Sequence, residues 1–286
     1  AMLPRMSLSI DSIFLGTEDY GAWSFNLEPD VAGIELTSVD GSIRGISFKE
    51  ASVKWDYQNN RTSFANALSI IDLGKVLPLW GFAPGVETSS LAMNVDLSWP
   101  GSPVNVELFS TEGEVAVQAG AGRFLDEDTS ANGLRLLSIF TPYAIMKRIN
   151  NFDFSDIIGE GMSFDSLSGT TQISHGELEF SEPLIVESRS STFEFGGKIN
   201  LIDDSLNNEM IVTLPVSKSL PWYGLYLALA NPVAGLGVVI GEQILRKPIE
   251  QFSSAKFQIE GTFEDPSVRF QSLWDTEIAL PPKTSE

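Results

Sequence analysis

Apolar and polar residues alternate one for one along most of this chain. Trp23, Phe25 and Leu27 alternate with polar residues, and so do Val53, Trp55 and Tyr57. Met93, Val95, Leu97 and Trp99 form a longer ladder, followed by Val104, Val106 and Leu108, and by Val115 and Val117 after a Glu112-Gly113 turn. Further on come Leu178 with Phe180, Leu184 with Val186, Phe193 with Phe195, Ile199 with Leu201, and Met210, Val212 and Leu214 before Pro215. Phe257 and Ile259 face Val268 and Phe270 across the turn Glu264-Asp265-Pro266. Successive strand side chains point to opposite faces, so each set places its apolar members on one side. Short Gly-, Asp-, Asn- and Pro-containing connections predict an antiparallel meander.

Helical signals are few. Asp72 to Trp80 reads as a short helix with Asp72 as its N-cap, ending near Gly81. Leu134, Leu137, Phe140, Ile145 and Ile149 keep helical spacing around Pro142, and Ser155 to Ile158 suggest one more turn. The run Pro221 to Gly241 carries no charged residue and is rich in glycine. Asn231-Pro232 interrupts it, and a residue before proline resists helix, so two helices are expected, roughly 221–230 and 232–246. The fold expected is mainly β: a long curved antiparallel sheet with a few short helices and a Gly-rich helical insert near the C-terminus.

With so little helix to cover it, the sheet must curl on itself or leave part of its apolar face bare for a ligand. The residues on ladder positions that would line such a trough are Val95, Leu97, Trp99, Leu178, Phe180, Phe193, Phe195, Val212, Leu214, Phe257 and Ile259. An ordinary packed core would use the same residues. The run 221–241 has three readings: a membrane span, a helical pair buried against the sheet, or a membrane- or partner-touching tip. Its Asn-Pro break and the return to strand disfavour a span. Trp222, Tyr223 and Tyr226 are amphipathic aromatics of the kind favoured at bilayer interfaces and make the case for a tip.

The chain has 286 residues, a net charge of −20 and no cysteine. That charge repels phosphate backbones and excludes nucleic acid as a partner. Disulfides and cysteine-based redox or metal chemistry are ruled out. Ala1-Met2 reads as a cloning remnant, and a membrane anchor could lie upstream. Residues 3–85 read as an N-terminal β segment with a short helix, 86–275 as a β-groove module that includes the insert 221–246, and 276–286 as a flexible tail.

Catalytic motifs fail in turn. Gly235-Leu236-Gly237 is followed by Gly241 where a dinucleotide fingerprint needs glycine at 240. Gly120-Ala121-Gly122-Arg123 lacks the length and the lysine of a phosphate loop. Asp126, Glu127 and Asp128 start like a calcium loop, but Ala131 and Leu137 stand where glycine and glutamate belong. His175, the only histidine, reads as an exposed turn residue beside Gly176. The 38 acidic residues offer no pair at a telling position for glycoside hydrolysis. No catalytic residue, metal site or cofactor is expected.

Several short motifs in order resemble the C-terminal part of AsmA-like proteins, in the YhdP branch. They are Asp96-Leu97-Ser98-Trp99-Pro100-Gly101-Ser102-Pro103, Gly120-Ala121-Gly122-Arg123, and Asp153-Phe154-Ser155-Asp156 leading into Gly161-Met162-Ser163-Phe164-Asp165. Leu214-Pro215-Val216-Ser217, the Gly-rich run through Lys247-Pro248, and Gly261-Thr262-Phe263 with Asp265-Pro266 complete the set. The match covers roughly residues 70–270, and the acidic loop Leu125 to Asn132 departs from it. The resemblance implies a non-enzymatic protein of the Gram-negative periplasm, held in the inner membrane by an N-terminal helix. It implies a taco-shaped sheet whose apolar inside conducts phospholipid. Its C-terminal end would lie towards the outer membrane. The alternative reading is a docking module in which the helical insert, through Trp222, Tyr223 and Tyr226, contacts the outer membrane or one of its proteins while the sheet is purely structural.

Overall fold

The computed structural model describes residues 4–80, 85–125, 162–215, 252–262, 265–273 and 277–280. Strand β1 is Met6–Ile10; β2 (Phe14–Leu15) and β3 (Glu18–Asp19) form a small separate hairpin. There follow β4 (Trp23–Pro29), β5 (Gly33–Ile43), β6 (Ile46–Asp56), β7 (Arg61–Ile70), helix α1 (Leu73–Leu79), β8 (Val86–Thr88), β9 (Leu91–Pro100) and β10 (Glu112–Ala119). Then come β11 (Gly122–Phe124), β12 (Met162–Phe164), β13 (Ser166–Ser174), β14 (Glu177–Glu187), β15 (Thr192–Asn200), β16 (Ser205–Pro215), β17 (Phe252–Thr262) and β18 (Pro266–Leu273).

Thirteen of these strands form one antiparallel sheet in the order β1-β4-β5-β6-β7-β9-β10-β13-β14-β15-β16-β17-β18. Spatial order follows chain order throughout. The two edge strands, β1 and β18, do not pair with each other, so the sheet is not a closed barrel. The β7–β9 pairing, Arg61↔Pro100 to Ile70↔Leu91, carries the sheet without a break across position 85. Strands β8, β11 and β12 make a small second sheet.

The meander gives the sheet two rims. The connections 11–22, 44–45, 71–90, 120–165, 188–191 and 216–251 all leave at one rim. The opposite rim carries 30–32, 57–60, 101–111, 175–176, 201–204 and 263–265. Every connection longer than eleven residues therefore leaves from the first rim. Register shifts fall at Ser24/Asn26, Leu36/Val39, Val39/Gly41 and Lys49/Ser52, on adjacent strands β4 to β6. Ser38 and Glu50 have positive φ there, the backbone signature of an extra residue. Bulges aligned across neighbouring strands bend a sheet along one line.

Helix α1 forms where its cap predicts. Asp72 accepts a hydrogen bond from the Lys75 backbone N–H, and Lys75 Nζ returns to Asp72 at 2.8 Å. Val76 and Leu77 are its buried residues, and Val76 packs on Gly45 of the β5–β6 turn. Elsewhere the sequence expectation needs correction. Val104, Val106 and Leu108 alternate like a strand but lie in the connection 101–111, which closes with a single 3-10 turn at Leu108–Ser110. Gly101 at φ 95° turns the chain out of β9, and Ser110 N–H and Thr111 Oγ1 both bond Glu107 O. Glu112 and Gly113 are the first residues of β10, not a turn. The helical expectations at 134–149, 155–158, 221–230 and 232–246 lie outside the described residues.

Candidate functional site

The registers place one continuous apolar face on the sheet. Directly paired residues of an antiparallel ladder share a face. Starting from Leu8↔Phe25 and Leu27↔Leu36, that face passes through Leu36↔Val53, Val53↔Phe64 and Phe64↔Leu97. It continues through Val95↔Val115, Val115↔Thr171 and Thr171↔Phe180. It ends through Leu184↔Phe195, Phe195↔Met210, Met210↔Phe257 and Phe257↔Phe270. All eleven residues picked out by the sequence ladders, Val95, Leu97, Trp99, Leu178, Phe180, Phe193, Phe195, Val212, Leu214, Phe257 and Ile259, lie on this face.

The face is not uniformly accessible. Over β14 to β17 it is closed: Leu178, Phe180, Phe193, Phe195, Val212, Leu214, Phe257 and Ile259 are at most 8% exposed. They form one core cluster with Phe124, Met162 and Phe164 of the small sheet. The Phe124 and Phe164 rings pack at 5.0 Å, and the room for Phe164 comes from Gly122, where a Cβ would strike its ring. From β1 to β10 the same face is only half-buried. Trp23, Phe25, Phe48, Phe64, Leu68, Met93 and Leu97 are all partly exposed there. Aromatic rings form a row across this half: Trp23 to Phe48 at 5.4 Å and Phe48 to Phe64 at 6.4 Å. Along its floor a narrower line of residues is fully buried: Val39, Ala51, Asn66 and Val95. Trp99 is buried near the far rim, its Nε1 donating to Ser102 O at 3.2 Å.

The opposite face is polar and laced with pairs. Lys198 Nζ meets Glu177 at 2.9 Å and Glu179 at 3.2 Å, and those hydrogen bonds raise its pKa. Gln172 donates to Glu114, Gln258 to Asn207, and Arg269 pairs with Glu260. Burial pushes the Glu194 carboxyl up on this face. Residues 277–280 cross it: Lys256 Nζ bonds Glu277 O, Glu209 accepts from the Ala279 N–H, and Ile278 fills the space beside Gly196. A shallow depression of about 440 Å³ lies on the same side, between Ala116, Gln118, Ser168, Thr170, Glu182 and Ile185. It is lined by both polar and short apolar groups.

His175 occupies the β13–β14 turn with φ 50° and a side chain 77% exposed. Ser174 Oγ stands 2.9 Å from its Nδ1 and Glu112 Oε1 3.2 Å from its Nε2. The order of partners resembles a hydrolytic triad, but the ring lies in solvent, where bulk water screens each contact. Among the described residues no cluster of three or more His, Asp or Glu could hold a metal ion. Among them no helix is long and apolar enough to cross a membrane. Trp222, Tyr223, Tyr226 and the whole insert 221–246 lie outside the described residues. Sequence reasoning missed the half-exposed lining of β5 and β7, where bulges and interposed alanines blur the two-residue period.

Comparison with known proteins gives one consistent result. The family model described as YhdP protein matches residues 1–268. The Escherichia coli (strain K12) protein named intermembrane phospholipid transporter YhdP is 29% identical over 244 residues, covering 83% of this chain and 19% of that relative. The chain thus spans about a fifth of the length of the curated relative it matches. No solved structure matches it.

Proposed function

The chain belongs to the YhdP family, and from that premise we propose that its sheet is a non-enzymatic stretch of a phospholipid conduit between two membranes, working in the periplasm. Phospholipid transport is what the name of the Escherichia coli relative describes. The observation that carries the reading is the continuous, largely apolar face, half-exposed from β1 to β10 and closed from β14 to β17. A contiguous exposed apolar surface on an otherwise strongly acidic protein marks a place where apolar material binds.

The chemistry needed is transfer out of water. Each acyl CH₂ that leaves water for the trough gains about 0.8 kcal/mol. Strands repeat every ~4.8 Å across the trough, so a chain advancing over them meets similar side chains at each step. Phe25, Phe48, Phe64, Leu68, Met93 and Leu97 supply that lining. Headgroups stay at the rims, in water. The closed half would limit how far a chain travels inside this segment, with Phe180, Phe193 and Phe257 as fixed packing.

The test is direct. Purified protein is extracted with organic solvent and the extract analysed by mass spectrometry, and uptake of a fluorescent acyl probe is measured in parallel. Co-purified phospholipid and saturable uptake, lost in Leu68→Asp, are expected. Lipid-free protein that takes up no probe overturns the proposal.

A further inference from the structure

Large apolar side chains stand in water along the rim opposite the long connections. Val104, Val106 and Phe109 of the connection 101–111 and Ile202 of 201–204 are between 56% and 87% exposed. A single exposed hydrophobe is ordinary, but a group of them from separate connections calls for an account. Phe109 and Ile202 meet over the turn between them: a Cβ on Gly176 would lie 2.8 Å from Ile202 and 3.2 Å from Phe109. The backbone beneath is fixed. Glu107 O accepts from Ser110 N–H, Ser110 Oγ and Thr111 Oγ1, which sets the turn that carries Phe109. Leu201 N–H donates to Gly176 O at 2.8 Å, and Asn200 Oδ1 accepts from Ile202 N–H. These bonds hold Phe109 and Ile202 outward, where a slack loop could fold them back onto the sheet.

Charge sorts the partners this surface can take. The connections 30–32, 57–60, 101–111, 175–176 and 201–204 contain Asp30, Glu107, Asp203 and Asp204 but neither lysine nor arginine. Arg61 and Lys198, on strands next to these connections, are paired with Glu112 and with Glu177 and Glu179. Carboxylates beside the apolar tips repel anionic headgroups. They also repel a second copy, which carries the same net charge of −20. They attract a segment of opposite charge. We infer that this rim docks a cationic amphipathic segment of a partner protein, with Phe109 and Ile202 as apolar anchors and Glu107, Asp203 and Asp204 as ionic contacts. An aromatic anchor beside a preset turn gains contact area with little ordering of its own. The inference is independent of what fills the trough.

The experiment uses the full 286-residue chain and two short synthetic helical peptides, one of leucine and lysine alone and the other of leucine and glutamate. Wild type should bind the lysine peptide and not the glutamate peptide. Phe109→Ser with Ile202→Ser should weaken that binding by roughly tenfold or more. The melting temperature should not change, because both side chains are already largely in water. Asp203→Asn with Asp204→Asn should weaken binding by about threefold to tenfold and flatten its salt dependence. Phe14→Ser, which removes an exposed apolar group at the other rim, should leave binding unaltered. No binding of the lysine peptide, or equal binding of both peptides, overturns the inference. So does a loss in the Phe109→Ser, Ile202→Ser variant no greater than in Phe14→Ser. Flotation with phosphatidylglycerol vesicles, or a concentration-dependent dimer, that disappears in the same double variant also overturns it, and assigns the rim to a membrane or to a second copy.

Discussion

Trp23 of β4 reaches Phe48 of β6 across the intervening strand because residue 41 of β5 is glycine. Trp23 pairs with Gly41 and Gly41 with Phe48, and a Cβ on Gly41 would run into the indole. The indole is held in place by its Nε1, which donates to Tyr20 O at 2.7 Å. Without a side chain between them, the two rings meet at 5.4 Å and tile the trough floor.

Gly41→Val should break this contact. The valine displaces the indole towards solvent and costs about 1–3 kcal/mol through overpacking. Thermal melts and a red shift of tryptophan emission check it. An unchanged emission maximum with wild-type stability would show that the indole does not depend on Gly41.

The two halves of the apolar face should respond differently to truncation. Phe257 is fully buried and its Ala variant should lose about 3–5 kcal/mol. Phe64 is half-buried and paired with Leu97, so Phe64→Ala should cost about 1 kcal/mol. Denaturant titration of both variants decides this. Equal losses would mean that the β1–β10 half is as tightly packed as the rest.

Glu194 should make stability depend on pH. Burial holds its carboxyl above the ordinary glutamate value of 4.5. The folded protein therefore keeps a proton that the unfolded chain gives up, and stability falls as pH rises above 4.5 through the folded pKa. Below 4.5 both states are protonated and the effect vanishes. Glu194→Gln should melt higher than wild type at pH 8 and converge with it at pH 4. Melting curves that differ by the same amount at both pH values would exclude burial of this carboxylate as the cause.

Lys256 and Glu209 form a pair 3.0 Å apart, with side chains only 10% and 19% exposed. Removing one charge strands the other, so Lys256→Met should cost about 3 kcal/mol, while Lys256→Met with Glu209→Leu should recover most of it. The double-mutant cycle is read by denaturant titration. A double-variant loss equal to the sum of the Lys256→Met and Glu209→Leu losses would mean that the pair is not coupled.

The sequence ladders placed Val95, Leu97, Trp99 and the eight residues from Leu178 to Ile259 on a single face because period two is geometric and independent of context. The same rule failed at Val104, Val106 and Leu108, where Gly101, Pro103 and the bonds to Glu107 O outweigh the pattern. Exposure could not be read at all. Phe64 and Phe257 occupy equivalent ladder positions, and what separates them is the small sheet that joins the core beside one and not the other. The aligned bulges of β4 to β6 left their trace only as breaks in alternation, through Ser38 and Glu50.

Because each strand of the thirteen-stranded sheet pairs only with the main-sheet strands before and after it in the chain, cohesion along that sheet is additive in one dimension, as in a stacked array. Excising one hairpin, residues 33–56 for instance, asks β4 and β7 to meet and leaves the later ladders untouched. Length is then a quantity that evolution or an engineer can change two strands at a time, and a span between surfaces can be matched to its gap without redesigning a core.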